Sequence, residues 1–155
     1  MYLYVLHALY HGVQGPKTAW VNEGDVKFIA VVPGYDRHFS ICQELGIQMI
    51  NVKIKDDGPD MDTIEELVQK DSSIKGIWCV PKYSNPTGII YSNEVVERIA
   101  SLGNIAGPNF RVMWDNAYSV HDFLEPPQKL ANVMDFCKKH GTEDNLILTS
   151  STSKI

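Results

Sequence analysis

Val26-Lys27-Phe28-Ile29-Ala30-Val31-Val32 is an apolar run interrupted by a single lysine. A strand with one wetted face alternates apolar and polar residues, whereas a run of this kind has to be covered on both sides. That pattern belongs to a parallel sheet sandwiched between helices. Pro33-Gly34 ends the run, and the period then changes from strand-like to helical: Phe39, Ile41, Cys42 and Leu45 precede a stop at Gly46, with Asp36 placed to cap the turn.

The cycle repeats along the chain. Met49 to Ile54 reads as a strand, and a turn through Asp56-Asp57-Gly58-Pro59 leads to a helix carrying Met61, Ile64, Leu67 and Val68. Ile74 to Val80 is a third strand, stopped by Pro81, and Ser92 is placed to cap a helix with Val95, Val96, Ile99 and Leu102. Phe110 to Trp114, a helix from Leu130 to His140 stopped by Gly141, and the strand Leu146-Ile147-Leu148 complete the series. Before it all, Leu3, Leu6, Leu9 and Tyr10 fall at helical spacing, with Gly12 as the stop. Strands alternating with helices predict an α/β fold, a three-layer α/β/α arrangement with a mainly parallel sheet. With 155 residues and no linker, repeat or low-complexity segment, residues 1–155 read as a single domain with a real core.

Charge and cysteine content narrow the function classes. A net charge of -5 gives no general attraction to nucleic acid, and the one compact basic cluster, Lys138-Lys139-His140, falls at a helix end whose dipole it complements. Cys42, Cys79 and Cys137 are odd in number and form no CxxC pair, which argues against a disulfide framework or a structural zinc and fits a reducing compartment. No apolar stretch reaches the length of a membrane span, so the expected location is the cytoplasm, with no membrane partner. The helical pattern starts at Met1 without a cap, and the chain stops just after a strand. A fragment of a longer protein is therefore expected.

The polar residues that stand out all follow strand ends, the edge where α/β proteins place ligands. Pro81-Lys82-Tyr83-Ser84-Asn85-Pro86-Thr87-Gly88 brackets Asn85 with two prolines and a glycine, which fits an ordinary turn or a rigidly aimed amide. Asp115 closes an apolar strand, where a carboxylate caps a turn or meets a cation, and Tyr118 lies three residues on. Ser150-Ser151-Thr152-Ser153-Lys154 follows the last strand, as a solvated loop or as a lysine fixed at its base and free at its tip, suited to forming a carbonyl adduct.

Taken in order, Asn85-Pro86-Thr87-Gly88, Asp115-Asn116-Ala117-Tyr118 and Ser151-Thr152-Ser153-Lys154 resemble the signature of class I and II aminotransferases, fold-type I enzymes dependent on pyridoxal 5'-phosphate (PLP). Pro33-Gly34-Tyr35-Asp36-Arg37-His38-Phe39 and the run from Asn116 to Phe123 are similar to an aspartate aminotransferase branch that includes MocR-like sequences. The resemblance implies that residues 1–155 are an incomplete PLP-binding major domain. It also implies site roles. Lys154 would form the Schiff base with PLP and carry the transferred proton, and Asp115 would pair with the pyridine nitrogen. Asn85 and Tyr118 would hydrogen-bond the phenolic oxygen. Tyr35 would stack on the ring, although a surface aromatic is the other reading, and His38 would support Asp115, although a solvated histidine fits too. Ser151 and Ser153 would contact the phosphate. No metal is expected.

The activity implied is transfer of an amino group between an amino acid, aspartate or alanine, and a 2-oxo acid such as 2-oxoglutarate, by a homodimer. The branch leaves two alternatives, a PLP-binding sensor domain of a MocR-type transcription regulator and a PLP-dependent lyase or decarboxylase. Arg37, Arg98 and Arg111 do not match the family's phosphate and carboxylate arginines, so the fragment alone is expected to be inactive.

Overall fold

A computed structural model of the chain describes residues 1–122 and 125–152. Among the described residues, five α-helices and six strands follow one another: α1 Tyr2–His11, β1 Lys27–Val32, α2 Asp36–Glu44, β2 Gln48–Lys55, β3 Gly58–Pro59, α3 Met61–Lys70, β4 Ile74–Cys79, α4 Asn93–Ser101, β5 Arg111–Asp115, α5 Val133–His140 and β6 Leu146–Thr149. The strands form one sheet in the order β3-β2-β1-β4-β5-β6. Every pairing is parallel except that of β3 with β2.

Alternate residues of the continuous apolar strands feed two separate cores. Ile29, Val31, Ile77, Cys79, Val112 and Trp114 face α3, α4 and α5, while Phe28, Trp78 and Met113 face α1, α2 and Trp20. These are the two outer layers that the unbroken runs required. The placement of helices also follows from chain direction. From β1 the chain moves to β2 through α2 on one face; the later steps to β4, β5 and β6 run the other way across the sheet with α3, α4 and α5 on the opposite face. Reversing direction while keeping the crossover hand requires the change of face. The reversal makes the gap between β1 and β4 a topological switch point, where α/β sheets open a crevice at the strands' carboxyl ends. Phe28 fits under β4 because Gly76 lies against its ring, and a Cβ there would sit 2.5 Å from Phe28 Cζ.

Local chemistry sets most boundaries as expected. Ser92 Oγ accepts from the Val95 amide at 3.2 Å, and Gly141 closes α5 at φ 69 in the left-handed region. Three readings shift. Asp36 is the first residue of α2 rather than its cap; Tyr35 takes the cap position, with no side-chain hydrogen bond. The helix expected from Leu130 begins at Val133, because Asn132 Oδ1 accepts from the Met134 amide and caps it there. The turn at Asp56 to Pro59 includes β3, whose two residues pair with Ile54 and Lys55, a segment too short to carry a periodic signal.

Candidate active site

The carboxyl ends of β1, β4, β5 and β6 surround a cavity of about 210 Å³ lined by Tyr35, Val80, Asn85, Asp115, Ala117, Tyr118 and Ser151. The cavity therefore draws residues from four different strand ends, and the sheet register explains their meeting. Asp115, the last residue of β5, lies opposite Thr149 of β6, and the Asn116 amide donates to the Thr149 carbonyl at 2.9 Å. Ser150 Oγ adds a hydrogen bond to the Asn116 carbonyl at 3.3 Å. The loop holding Asn85 is closed by the Ser84 amide donating to the Ile89 carbonyl at 2.9 Å, with Gly88 at φ 75. A side chain is strained at that φ, which is why the turn ends in glycine.

Asp115 is tied from below. His38 Nε2 lies 3.0 Å from Asp115 Oδ2, and His38 is only 4% exposed. An ionised carboxylate only accepts, so Nε2 carries the proton that makes this bond. Tyr35 meets the His38 ring edge-on at 5.2 Å between centroids, and Trp78 lies under it nearly parallel, at 4.5 Å and 10°. Tyr118 meets His121 edge-on at 5.9 Å. Among the described residues, the Asn85 amide and the Tyr118 hydroxyl have no hydrogen-bond partner, so both keep their capacity for a ligand.

Of the residues predicted for the site, the structure brings Tyr35, Asn85, Asp115, Tyr118 and Ser151 to one cavity and puts His38 behind Asp115. Ser153 and Lys154 lie outside the described residues. Two supporting features were not read from the sequence. Trp78 looked like an ordinary core residue of β4. Lys82, buried at 6% exposure, crosses to the next loop, where its Nζ meets Asp122 Oδ1 at 2.7 Å and the Ser119 carbonyl at 3.1 Å. Tyr83, at φ 50, donates to Asp122 Oδ1 as well, at 3.3 Å. The Lys82 ammonium, foremost, holds the Asp122 carboxyl below its ordinary range. This pair joins the loop of Asn85 to the loop of Tyr118. A charged pair bridging two turns leaves no periodic trace, though a lysine next to a strand-ending proline was a usable hint.

Two of the three arginines go elsewhere. Arg98 pairs with Glu65 and Asp62 between α4 and α3, and Arg111 is buried with its guanidinium donating to the Phe110 carbonyl at 2.8 Å. Lys139 and His140, from the basic helix end, both contact Glu97.

A family model described as aspartate amino-transferase matches residues 1–155, the whole chain. The chain belongs to the aspartate amino-transferase family. An aspartate aminotransferase of Corynebacterium glutamicum is 44% identical over 136 residues, covering 88% of this chain and 31% of that protein. The crystal structure of an aspartate transaminase from C. glutamicum superposes with a TM-score of 0.92 at 39% identity, over 100% of this chain and 36% of the other. An α-aminoadipate aminotransferase from Thermus thermophilus, complexed with N-(5'-phosphopyridoxyl)-L-leucine, matches with a TM-score of 0.72 at 21% identity, over 84% of this chain and 32% of its own. That likeness is one of fold. The chain spans about a third of the length of the relatives it matches.

No helix among the described residues is long and apolar enough to cross a membrane.

Proposed function

We propose that the protein containing this chain is a PLP-dependent aminotransferase that exchanges an amino group between an amino acid, aspartate or alanine, and a 2-oxo acid such as 2-oxoglutarate. The observation that carries the reading is the His38-supported carboxylate of Asp115 on the wall of a cavity that also presents Tyr35, Asn85, Tyr118 and Ser151. The donor set fits PLP group by group. Asp115 suits a protonated ring nitrogen, Asn85 and Tyr118 suit a phenolate, Tyr35 suits a ring face, and the Ser151 hydroxyl suits a phosphate oxygen.

PLP, when bound, supplies an electron sink for a carbanion at the substrate's α-carbon. The chain's own residues do the rest. Asp115 would keep a negative charge against the ring nitrogen, with the His38 Nε2–H on Oδ2 leaving the other carboxylate oxygen for the ring. Asn85 and Tyr118 would hold the phenolic oxygen from two different loops. Lys154 would remove and return the α-proton. Transamination is preferred to a lyase, a decarboxylase or a sensor domain because both the 44% identical relative and the 0.92 superposition are aspartate transaminases. The same reading has the whole protein working as a homodimer in the cytoplasm, where three buried free thiols would stay reduced.

The test uses the full-length protein. Purified wild type should be yellow with PLP and should convert aspartate or alanine with 2-oxoglutarate to the paired products. Lys154→Ala should lose the visible band of the bound cofactor and lower turnover by at least about a thousandfold. Unchanged colour and turnover in that variant would overturn the assignment.

A further inference from the structure

We propose that Trp78 is a positioning residue for the cofactor site, acting through His38 to fix the orientation of the Asp115 carboxylate; this rests on the PLP reading above. Trp78 is not among the residues that line the cavity, and it stands on the β4 face that packs against α1 and α2. Its indole lies under the His38 imidazole at 4.5 Å and 10°. Rotation of the imidazole about its Cβ–Cγ bond would drive it into that face. A half-turn would restore parallel planes but carry Nε2 away from Asp115 Oδ2, so the stack confines the ring to two orientations and the hydrogen bond to Asp115 selects the bonded one.

The indole cannot follow the imidazole if it turns. Its Nε1–H donates to Cys42 Sγ at 3.2 Å, and Cys42 is fully buried in α2, one turn beyond His38. Burial raises the Cys42 thiol's pKa, so the acceptor is a neutral sulfur rather than a charged one. Phe28 meets the indole tilted, at 5.5 Å between centroids, and Trp20 packs edge-on against Phe28 at 5.5 Å. A column of rings, Trp20, Phe28, Trp78, His38 and Tyr35, thus runs from the depth of the α1/α2 core to the cavity wall. The groups facing His38 are Asp115 from β5, Tyr35 from the approach to α2 and Trp78 from β4. Trp78 is the one that restrains ring rotation over the whole imidazole face.

The experiment compares full-length wild type, Trp78→Phe and Trp78→Leu. Trp78→Phe keeps a flat face and loses the N–H, whereas Trp78→Leu loses the face. Three quantities are read: PLP affinity of the apoprotein, position and pH dependence of the cofactor's visible band, and deuterium exchange at His38 C2–H followed by peptide mass spectrometry in apoprotein and holoprotein. Trp78→Leu should bind PLP about three- to tenfold more weakly, the range set by one aromatic contact. It should also exchange His38 faster and shift the band's pH midpoint, while Trp78→Phe stays close to wild type in all three. A folded Trp78→Leu with wild-type His38 exchange and an unmoved band overturns the proposal, as does Trp78→Phe behaving like Trp78→Leu. Wild type supplies an arm that needs no variant: His38 exchange as fast as in an unfolded peptide also overturns it. A wild-type protein that takes up no PLP defeats the functional reading instead, and the His38 exchange in that apoprotein still decides the stack.

Discussion

His38→Phe isolates the hydrogen bond that aims Asp115. Phenylalanine is a flat ring of similar size, so the contacts with Trp78 below and Tyr35 at the edge are kept, while the Nε2–H that donates to Asp115 Oδ2 at 3.0 Å is removed. A hydrogen bond to a charged group contributes about 1.5–3 kcal/mol. The Asp115 side chain is 20% exposed, so water can take over part of the lost bond, and the lower end applies. A loss of about 1.5 kcal/mol corresponds to roughly tenfold weaker PLP binding. The assay is PLP titration of the full-length apoprotein, with Asp115→Asn and the double variant completing a thermodynamic cycle. If His38 acts through Asp115, it has little left to align once the carboxylate is an amide, and the two losses should fall short of additivity by about 1 kcal/mol. Additive losses, or a His38→Phe affinity within a factor of two of wild type, would refute the claim that this bond positions the carboxylate.

Two further outcomes are expected elsewhere. Lys82→Met cuts the tie between the Asn85 and Tyr118 loops and should weaken PLP binding on the order of tenfold, since small displacements of positioning groups cost up to about a hundredfold; Lys82→Arg should recover most of it, and equal affinity in Lys82→Met and wild type would show that the loops hold their places independently. At the opposite edge of the sheet, the Lys27 ammonium, with help from Ser73, brings the Asp71 carboxyl down to about 2. Because the folded state lowers this pKa, the stabilisation is complete above the ordinary value near 4 and is lost as pH falls towards 2. Asp71 is 33% exposed, so solvent screening limits the effect to about 1 kcal/mol, and Asp71→Asn should lower the thermal midpoint at pH 7 yet leave it unchanged near pH 2. A midpoint difference that does not depend on pH would contradict the ion-pair account.

The fold was legible wherever burial imposed a period. Strands β1, β4 and β5 are covered on both faces, so their central residues had to be apolar, and helices α3 and α4 show their buried stripes through Met61, Ile64, Val68 and through Val95, Val96, Ile99. What escaped reading was short or set by one local bond, such as the two-residue β3 and the start of α5 at the Asn132 cap. The site was legible in a different way. Asn85, Asp115 and Tyr118 stood out because polar groups after apolar strands need a reason, but their convergence depends on the strand order, which periodicity does not encode. Trp78 was invisible for the opposite cause: a tryptophan in a buried strand satisfies every rule of a core residue, and its second role appears only when the ring above it is a histidine bonded to an aspartate.

The two ends of the sheet show why that strand order matters for chemistry. At the amino-terminal ends, charges close on one another: Lys27 with Asp71, and buried Lys75 with Glu23 and the Pro108 carbonyl. These groups have their partners and hold the fold. At the carboxyl-terminal ends, β1 and β4 diverge at the switch point, and the loops that follow them cannot zip together as the strands do. The chain fills that divergence with paired supports placed one layer back, His38 behind Asp115 and Lys82 across to Asp122, and leaves the forward-facing groups of Asn85, Asp115 and Tyr118 lining open space. A stability-driven design would have paired the forward groups as well. Leaving donors and acceptors uncommitted on a rigid backing costs folding energy and favours a preorganised site, and here the backing combines the aromatic contacts behind His38 with the Lys82–Asp122 tie between the loops.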